Sequence, residues 1–433
     1  MDNFEQTSRR IRITVMGLGY VGLPLAVLFV KGGFHVTGFD INPELITKLR
    51  NKEMSLPSLA EHDAHFITTS DHFSATSDLD ELRDSDAIII CVPTPLGADR
   101  QPDLRYIEAA ADSIKQILRP GQLVILESST YPGTTKEIAN RIIAGTSYVI
   151  GEDLFIGYSP ERIDPGNSQY SVETIPKLVS GITPACLNQV IQLYSSVFKE
   201  IKPVTSPEIA EMAKLLENTY RFINISFINE LAILCDAMHI DIWEVIDGAK
   251  TKPFGFNDFY PGSGIGGHCI PVDPLYLQWK LEQLGLESSF IRESERINES
   301  MPMYIVKRIS ELLKPSTPLK GASILLYGIT YKSNVADVRE SSAIKVLQYL
   351  HEAGADVSYH DPYMDTIHVG GTLFQSVELT ADVLQRADCV VILMTHNAMP
   401  KADILKYASL VYDTRDVMDK QRNMRNVIRL GDS

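Results

Sequence analysis

The chain of 433 residues is short of cysteine and of tryptophan, with five of the first and two of the second. The cysteines stand at 91, 186, 235, 269 and 389 with no CxxC pair. That spacing argues against a disulfide framework and against a structural zinc site. No apolar run approaches the roughly 18 residues a membrane-spanning helix needs. The opening stretch, MDNFEQTSRRIRI, is polar and basic and does not read as a secretory leader. Positive charge is also scarce: 40 Lys plus Arg stand against 55 Asp plus Glu, a formal charge of −15. Nucleic acid is therefore not expected as a partner, and neither is a membrane. Few local cations and helix N-termini suffice for an anionic ligand, so that class stays open. The expectation is a protein of the reducing cytoplasm, with thiols free to be buried or reactive.

What is present is more telling. The length points to two or three domains. The segment IRITVMGLGYVGLPLAVLFVKGGFHVTGFDINP opens with a strand, turns at Gly17, Leu18, Gly19, Tyr20, Val21 and Gly22, and continues as an apolar helix. A second strand ends on Asp40. Strand, GxGxxG turn, helix and strand-end acid in that order form a dinucleotide-binding fingerprint. The glycines let a pyrophosphate approach the helix N-terminus, and the carboxylate of Asp40 accepts ribose hydroxyls while repelling a 2′-phosphate. NAD is the expected cofactor. Further buried strands, DAIIICV and QLVILE, are followed by the turns PTPLG and SSTYPGTT. Pro93, Thr94 and Thr130 lie there, at strand ends where ligands of open α/β sheets collect. The plainer alternative for the threonines is turn formation or helix capping.

Residues 207–239 carry apolar side chains at three- and four-residue steps, predicting one helix of about 50 Å. A helix that long connects domains or packs against a second copy, so a homodimer is expected. Beyond a proline-bearing linker near 314–320 the first pattern returns: SILLYGITYK, then ADVSYHDP ending on Asp361, then ADCVVILMTH, then SLVYDTRD as one more edge strand. This unit lacks GxGxxG and should not bind a dinucleotide in the same way. The expected fold is α/β, with two Rossmann-like doubly wound domains (1–205 and 314–433) flanking a helical middle domain (206–313) that has one long central helix.

Four turns or helix faces concentrate chemistry. YSPERIDPGN holds Glu161, either a catalytic acid or a partner of Arg162 or a cap. Lys214 and Asn218 share one helix face; they form an oxyanion site or, on the plainer reading, Lys214 pairs with Glu211 or Glu217. PGSGIGGHCIPVDP sets Cys269 behind four glycines with Asp273 four residues on. Backbone N–H groups, with Lys214, would lower that thiol's pKa and make it a nucleophile. His268 invites a metal reading, but adjacent residues seldom face one atom and no third ligand is in view; no metal is expected. YKSNVADVRESS offers Lys332 and Arg339, phosphate or carboxylate holders or else surface charge. A dehydrogenase needs a cysteine only when an aldehyde is oxidised again, because a thiohemiacetal gives up a hydride far more readily than a bare aldehyde.

The stretches MGLGYVGLPLA, VPTP, ESSTYPGTT, YSPERIDPGN, AKLLENTYR, GIGGHCIPVDP and YKSNVADVRESS make the chain resemble the UDP-glucose/GDP-mannose dehydrogenase family over essentially its whole length. The resemblance implies oxidation of the C6 hydroxymethyl of a nucleotide sugar to a carboxylate, with two NAD⁺ and no metal. It makes Cys269 the nucleophile, with Lys214 and Asn218 at the oxyanion. Asp273 would move protons through water, and Glu161 and Thr130 would hold the hydrolytic water, Thr130 also lying beside the nicotinamide. Lys332, Arg162, Gly267 and Tyr260 would contact the UDP-sugar, and Arg339 the cofactor or the closure between domains. The UDP-glucose branch reads Cys-Phe-Pro-Lys-Asp where this chain has Cys269-Ile270-Pro271-Val272-Asp273. It also reads Ser-Pro-Glu-Phe-Leu where this chain has Ser159 to Ile163. Both departures resemble the branch acting on UDP-N-acetylhexosamines, with UDP-N-acetylglucosamine the expected substrate and its manno and galacto epimers open. A single-step β-hydroxyacid dehydrogenase would leave Cys269 and the second Rossmann-like unit unexplained. An NAD-sensing scaffold would leave the thiol incidental.

Overall fold

The computed structural model of the chain describes residues 11–53, 59–162, 171–267, 269–313, 316–418 and 426–432. It divides into two compact units, Met1–Glu217 with Leu275–Leu286, and Asn218–Pro274 with Glu287–Ser433. The residues expected as a helical middle contribute to both.

Among the described residues the first unit holds an eight-stranded sheet. Its strands are β1 (Arg12–Met16), β2 (His35–Phe39), β3 (Phe73–Thr76), β4 (Ala87–Ile90), β5 (Leu123–Leu126), β6 (Phe155–Tyr158), β7 (Lys177–Gly181) and β8 (Ile201–Pro203). Their order is β3-β2-β1-β4-β5-β6-β7-β8. Every pair is parallel except β6 and β7. Strands β4 (AIII) and β5 (LVIL) are buried at every residue. Such unbroken apolar runs belong to strands covered on both faces. Helices Gly22–Lys31 and Pro184–Tyr194 cover one face, and Arg105–Gln116 and Thr134–Ile143 the other. The chain crosses from one side of the sheet to the other between β1 and β4, the switch point where ligands of open sheets bind.

A charged pair is buried at the carboxyl end of this sheet. Lys177 Nζ lies 2.7 Å from Glu127 Oε2, and Tyr194 donates its hydroxyl to the other carboxylate oxygen. The ammonium stands 5.2 Å from the ring centres of both Tyr194 and Phe198. Burial, then the Glu127 charge, pushes the Cys91 thiol and the Tyr194 hydroxyl well above their ordinary ranges.

The second unit carries β9 (Ser323–Tyr327), β10 (Asp356–His360), a hairpin of β11 (Thr366–Val369) and β12 (Thr372–Gln375), then β13 (Cys389–Ile392), β14 (Val411–Asp413) and β15 (Val427–Arg429). Five of these form a parallel sheet in the order β10-β9-β13-β14-β15. The stretch SLVYDTRD thus supplies an inner strand, not an edge, because β15 pairs along its outer side. Three residues are too few for a periodic signal, so β15 escapes a pattern-based reading. Apolar residues of helices Ile242–Ala249 and Ser289–Leu312 pack on one face of this sheet, with Ile228, Ala232 and Cys235. The last strand is fixed by Arg429, which pairs with Asp241, Asp416 and Asp432 at 2.5, 2.9 and 2.7 Å.

Helix Pro207–Met238 has 32 residues, about 48 Å. Ile209, Met212, Leu216, Tyr220, Phe227 and Leu234 on it are exposed. Among the described residues no helix is long and apolar enough to cross a membrane.

The buried pair yields a stability test. Lys177→Met strands the Glu127 charge and is expected to cost about 3–5 kcal/mol in urea denaturation, whereas the double change Glu127→Gln with Lys177→Met recovers most of that loss.

Candidate active site

In the first unit the glycine turn is dictated by close approach. A Cβ on Gly22 would lie 1.9 Å from the Gly17 carbonyl oxygen, and one on Gly17 would lie 2.7 Å from the Cys91 carbonyl oxygen. A Cβ on Gly19 would instead meet no heavy atom within 4 Å, so the backbone there faces open space. Helix Gly22–Lys31 has no side-chain cap, which leaves its positive end for a ligand phosphate. Asp40 accepts the N–H of Leu18 at 2.8 Å and of Asn42 at 2.9 Å, holding the turn that carries Gly17, Tyr20 and Val21. These residues fit an NAD pyrophosphate and ribose.

The turns after β4 and β5 are tied by Ser128, whose hydroxyl donates to the Val92 carbonyl at 2.7 Å. Pro93 is exposed and Thr94 buried. Thr130 is wholly buried, and among the described residues its hydroxyl has no hydrogen-bond partner. An orphaned hydroxyl costs about 1–3 kcal/mol, which neither a turn nor a cap explains and which a ligand or water would repay. Glu211, weighed as a partner of Lys214, does something else. It receives the N–H groups of Gly133 and Thr135 and the Thr135 hydroxyl at 2.6–2.8 Å, and burial raises its pKa. Glu217 likewise pairs with Arg162 at 2.7 Å, and Arg162 also donates to the Pro176 carbonyl at 3.0 Å. Glu161, Arg162, Glu127, Lys177, Val21 and Leu25 line one pocket. Lys214 is buried.

In the second unit Asn218 and Asp273 meet. The Asn218 amide donates to Asp273 Oδ2 at 2.6 Å, and the Asp273 N–H donates to the Cys269 carbonyl at 2.9 Å. Asp273 begins helix Asp273–Gln283, and Val272 beside it is buried. Cys269 is half-buried, whereas the other four cysteines are buried. The preceding glycines are held in place by Asn229, which accepts the Gly262 N–H at 2.9 Å, and Asn298, which accepts the Ile265 N–H at 2.6 Å. Gly267 has φ +90°, and a Cβ there would lie 2.7 Å from the Tyr331 ring, so only glycine fits. Lys332 is half-buried; Arg339 is chelated by Asp337, Nη2 lying 2.7 Å from its carboxylate. Tyr260 is exposed, stacked on Trp243 at 6.1 Å and bonded to Asp258 at 2.8 Å. Residues 163–167 and His268, the bystander of the metal reading, lie outside the described residues.

Pattern reading missed Arg415. Its Nε donates to the Leu393 carbonyl at 2.8 Å, and its Nη1 would lie 2.9 Å from a Cβ on Gly262. Burial lowers its pKa to about 10. The one signal for it was a lone arginine behind the end of β14. Among the described residues no group of three or more His, Cys, Asp or Glu side chains is placed to hold a metal ion.

A glycine turn, strand-end acid and switch point of this kind define an NAD-binding dehydrogenase architecture. Residues 11–198 match the NAD binding domain of the UDP-glucose/GDP-mannose dehydrogenase family, 208–300 its central domain and 325–420 its UDP binding domain. The chain belongs to that family. It is 39% identical over 371 residues to the UDP-N-acetyl-D-glucosamine 6-dehydrogenase of Pseudomonas aeruginosa, covering 83% of this chain and 86% of that one. It is 36% identical over 416 residues to protein CapL of Staphylococcus aureus, covering 94% and 96%. Among solved structures, the UDP-D-ManNAc dehydrogenase of Pyrococcus horikoshii superposes with a TM-score of 0.85 at 29% identity, covering 97% and 99%.

Thr130 separates stability from function. Thr130→Val is expected to hold or raise the unfolding free energy, by up to about 1 kcal/mol, while lowering kcat at least about tenfold; denaturation and steady-state rates on one preparation check both.

Proposed function

We propose that the chain oxidises the C6 hydroxymethyl of a UDP-N-acetylhexosamine to the carboxylate, UDP-N-acetylglucosamine being the first choice. Two successive two-electron oxidations share one cysteine. The reading rests most on one observation: the half-buried Cys269 carbonyl is bonded to Asp273, which is bonded in turn to Asn218. The overall balance is R–CH₂OH + 2 NAD⁺ + H₂O → R–COO⁻ + 2 NADH + 3 H⁺. When bound by the Gly17–Gly22 turn and Asp40, NAD supplies the hydride acceptor.

In the first oxidation Asp273 takes the proton of the C6 hydroxyl through water while a C6 hydrogen leaves as hydride, giving the aldehyde. The Cys269 thiolate then adds to the aldehyde carbon, giving a thiohemiacetal whose C6 hydrogen leaves as hydride and whose carbon becomes a thioester. Lys214 carries the positive charge that steadies each oxyanion. One N–H of Asn218 is committed to Asp273, so the oxyanion receives the other. Water held by Glu161 and Thr130 attacks the thioester and releases the acid and the Cys269 thiol. Lys332, Gly267, Tyr260 and Arg162 are assigned to the UDP-sugar, with Arg415 added beside Gly262; Arg339 is assigned to the cofactor or to closure.

Val272, in place of the UDP-glucose branch's lysine, and the Pseudomonas aeruginosa relative support the acetamido sugar. A second reading, UDP-N-acetylmannosamine, is favoured by the likeness to the Pyrococcus horikoshii dehydrogenase. The exposed apolar residues along Pro207–Met238 support a homodimer, with that face covered by a second copy. Five cysteines with no CxxC pair and no paired spacing support a cytoplasmic setting.

Cys269→Ala is expected to bind cofactor and UDP-sugar with unchanged affinity yet form no acid from UDP-glucose or any UDP-N-acetylhexosamine. Acid production by that variant, followed by mass of the sugar product, would refute covalent catalysis. In the native protein the same panel identifies the sugar.

A further inference from the structure

The loop that carries Cys269 rests on a second loop. Gly267 donates its N–H to the Arg339 carbonyl at 3.1 Å. A Cβ on Gly266 would lie 2.8 Å from the Glu340 carbonyl oxygen and 2.9 Å from Tyr331 Cβ. Residues 331–340 are therefore the bed of Gly266 and Gly267, immediately ahead of the thiol, and they carry Lys332 as well. Whatever fixes this bed fixes both groups.

A buried imidazole does so. Asp361, at the end of β10, accepts the N–H of Ile329 at 2.8 Å and of Thr330 at 3.2 Å on Oδ2, and of Tyr363 at 2.9 Å on Oδ1. His396 Nε2 lies 3.2 Å from the same Oδ2, and neither side chain has any exposure. Burial pushes the Asp361 carboxyl up, but the His396 bond and the N–H groups of Tyr363 and Ile329 outweigh it and hold the group below its usual range. On the far side of the ring, the Asn334 N–H donates to His396 Nδ1 at 3.0 Å. A backbone N–H only donates, so Nδ1 is the acceptor and Nε2 carries the proton toward Asp361. The ring thus bridges the strand-end acid to the middle of the loop, at a residue with φ +60° whose side-chain oxygen also accepts the Asn397 N–H at 2.9 Å. Asp40, at the matching place in the first unit, holds its turn through the N–H groups of Leu18 and Asn42.

We propose that His396, anchored by Asp361, is a positioning residue for the reaction: as a neutral imidazole it fixes the Tyr331–Glu340 loop and, through Gly266 and Gly267, the Cys269 thiol and the Lys332 ammonium. It touches neither substrate nor reacting atoms. The inference rests on the assignment of Cys269 and Lys332 made under the proposed function.

The test compares His396→Asn, whose side-chain oxygen stands near the Nδ1 position, with His396→Gln, which reaches toward Asp361 but has no acceptor for Asn334. Three readouts are taken: steady-state constants, NAD affinity, and the rate of Cys269 alkylation by iodoacetamide followed by peptide mass. The glutamine variant is expected to raise the UDP-sugar KM about tenfold or more and to change the alkylation rate at least about fivefold, with NAD affinity unmoved. The asparagine variant is expected to stay within about threefold of the native protein in all three. A folded glutamine variant with native KM and alkylation rate overturns the inference. If the glutamine variant does not fold, a folded asparagine variant decides: native values support the inference and their loss overturns it. Native protein that turns over no UDP-sugar would sink the functional assignment instead, and the alkylation rates would still report on the loop.

Discussion

The hydrogen bond from the Asn218 amide to the Asp273 side chain, buried and 2.6 Å long, is the contact on which the proposed chemistry turns. It ties the long helix to the residue that closes the thiol loop, because Asp273 also donates its N–H to the Cys269 carbonyl. A buried hydrogen bond of this length fixes both partners. Asp273 is thereby held beside the Cys269 backbone, and the Asn218 amide is oriented by the same contact. Lys214 lies one turn earlier on the same helix, and the proposed function gives both residues to the oxyanion.

Both units end their second strand in an aspartate and use it differently. Asp40 is half-buried and holds the glycine turn by Leu18 and Asn42, next to backbone that faces open space. Asp361 is buried and spends its oxygens on Ile329, Thr330, Tyr363 and His396. The same topological position sits beside open space in one unit and is a buried brace in the other. The difference lies in a glycine turn present in the first and a histidine present in the second.

Much of this was legible in the sequence. The turn from Gly17 to Gly22, Asp40 and the unbroken apolar strands have local signatures with a known physical cause, and the long helix announced itself by its periodicity. Other features were not local. Lys177 and Glu127 are 50 residues apart and look like surface charge until the fold buries them together. Glu211 and Glu217, spaced as ion-pair partners of Lys214, are claimed instead by a helix N-terminus and by Arg162. Arg415 and His396 become meaningful only when β14 and β13 bring them to the loops that carry Gly262 and Asn334. Strand β15 was too short to show.

In the proposed reaction a single thiol serves two oxidations at one carbon. The most direct test is the amount of NADH formed per UDP-N-acetylhexosamine consumed, read at completion with limiting sugar. Two NADH per sugar, with the uronic acid as the only product, is the predicted result. One NADH per sugar, with an aldehyde or ketone accumulating, would contradict it.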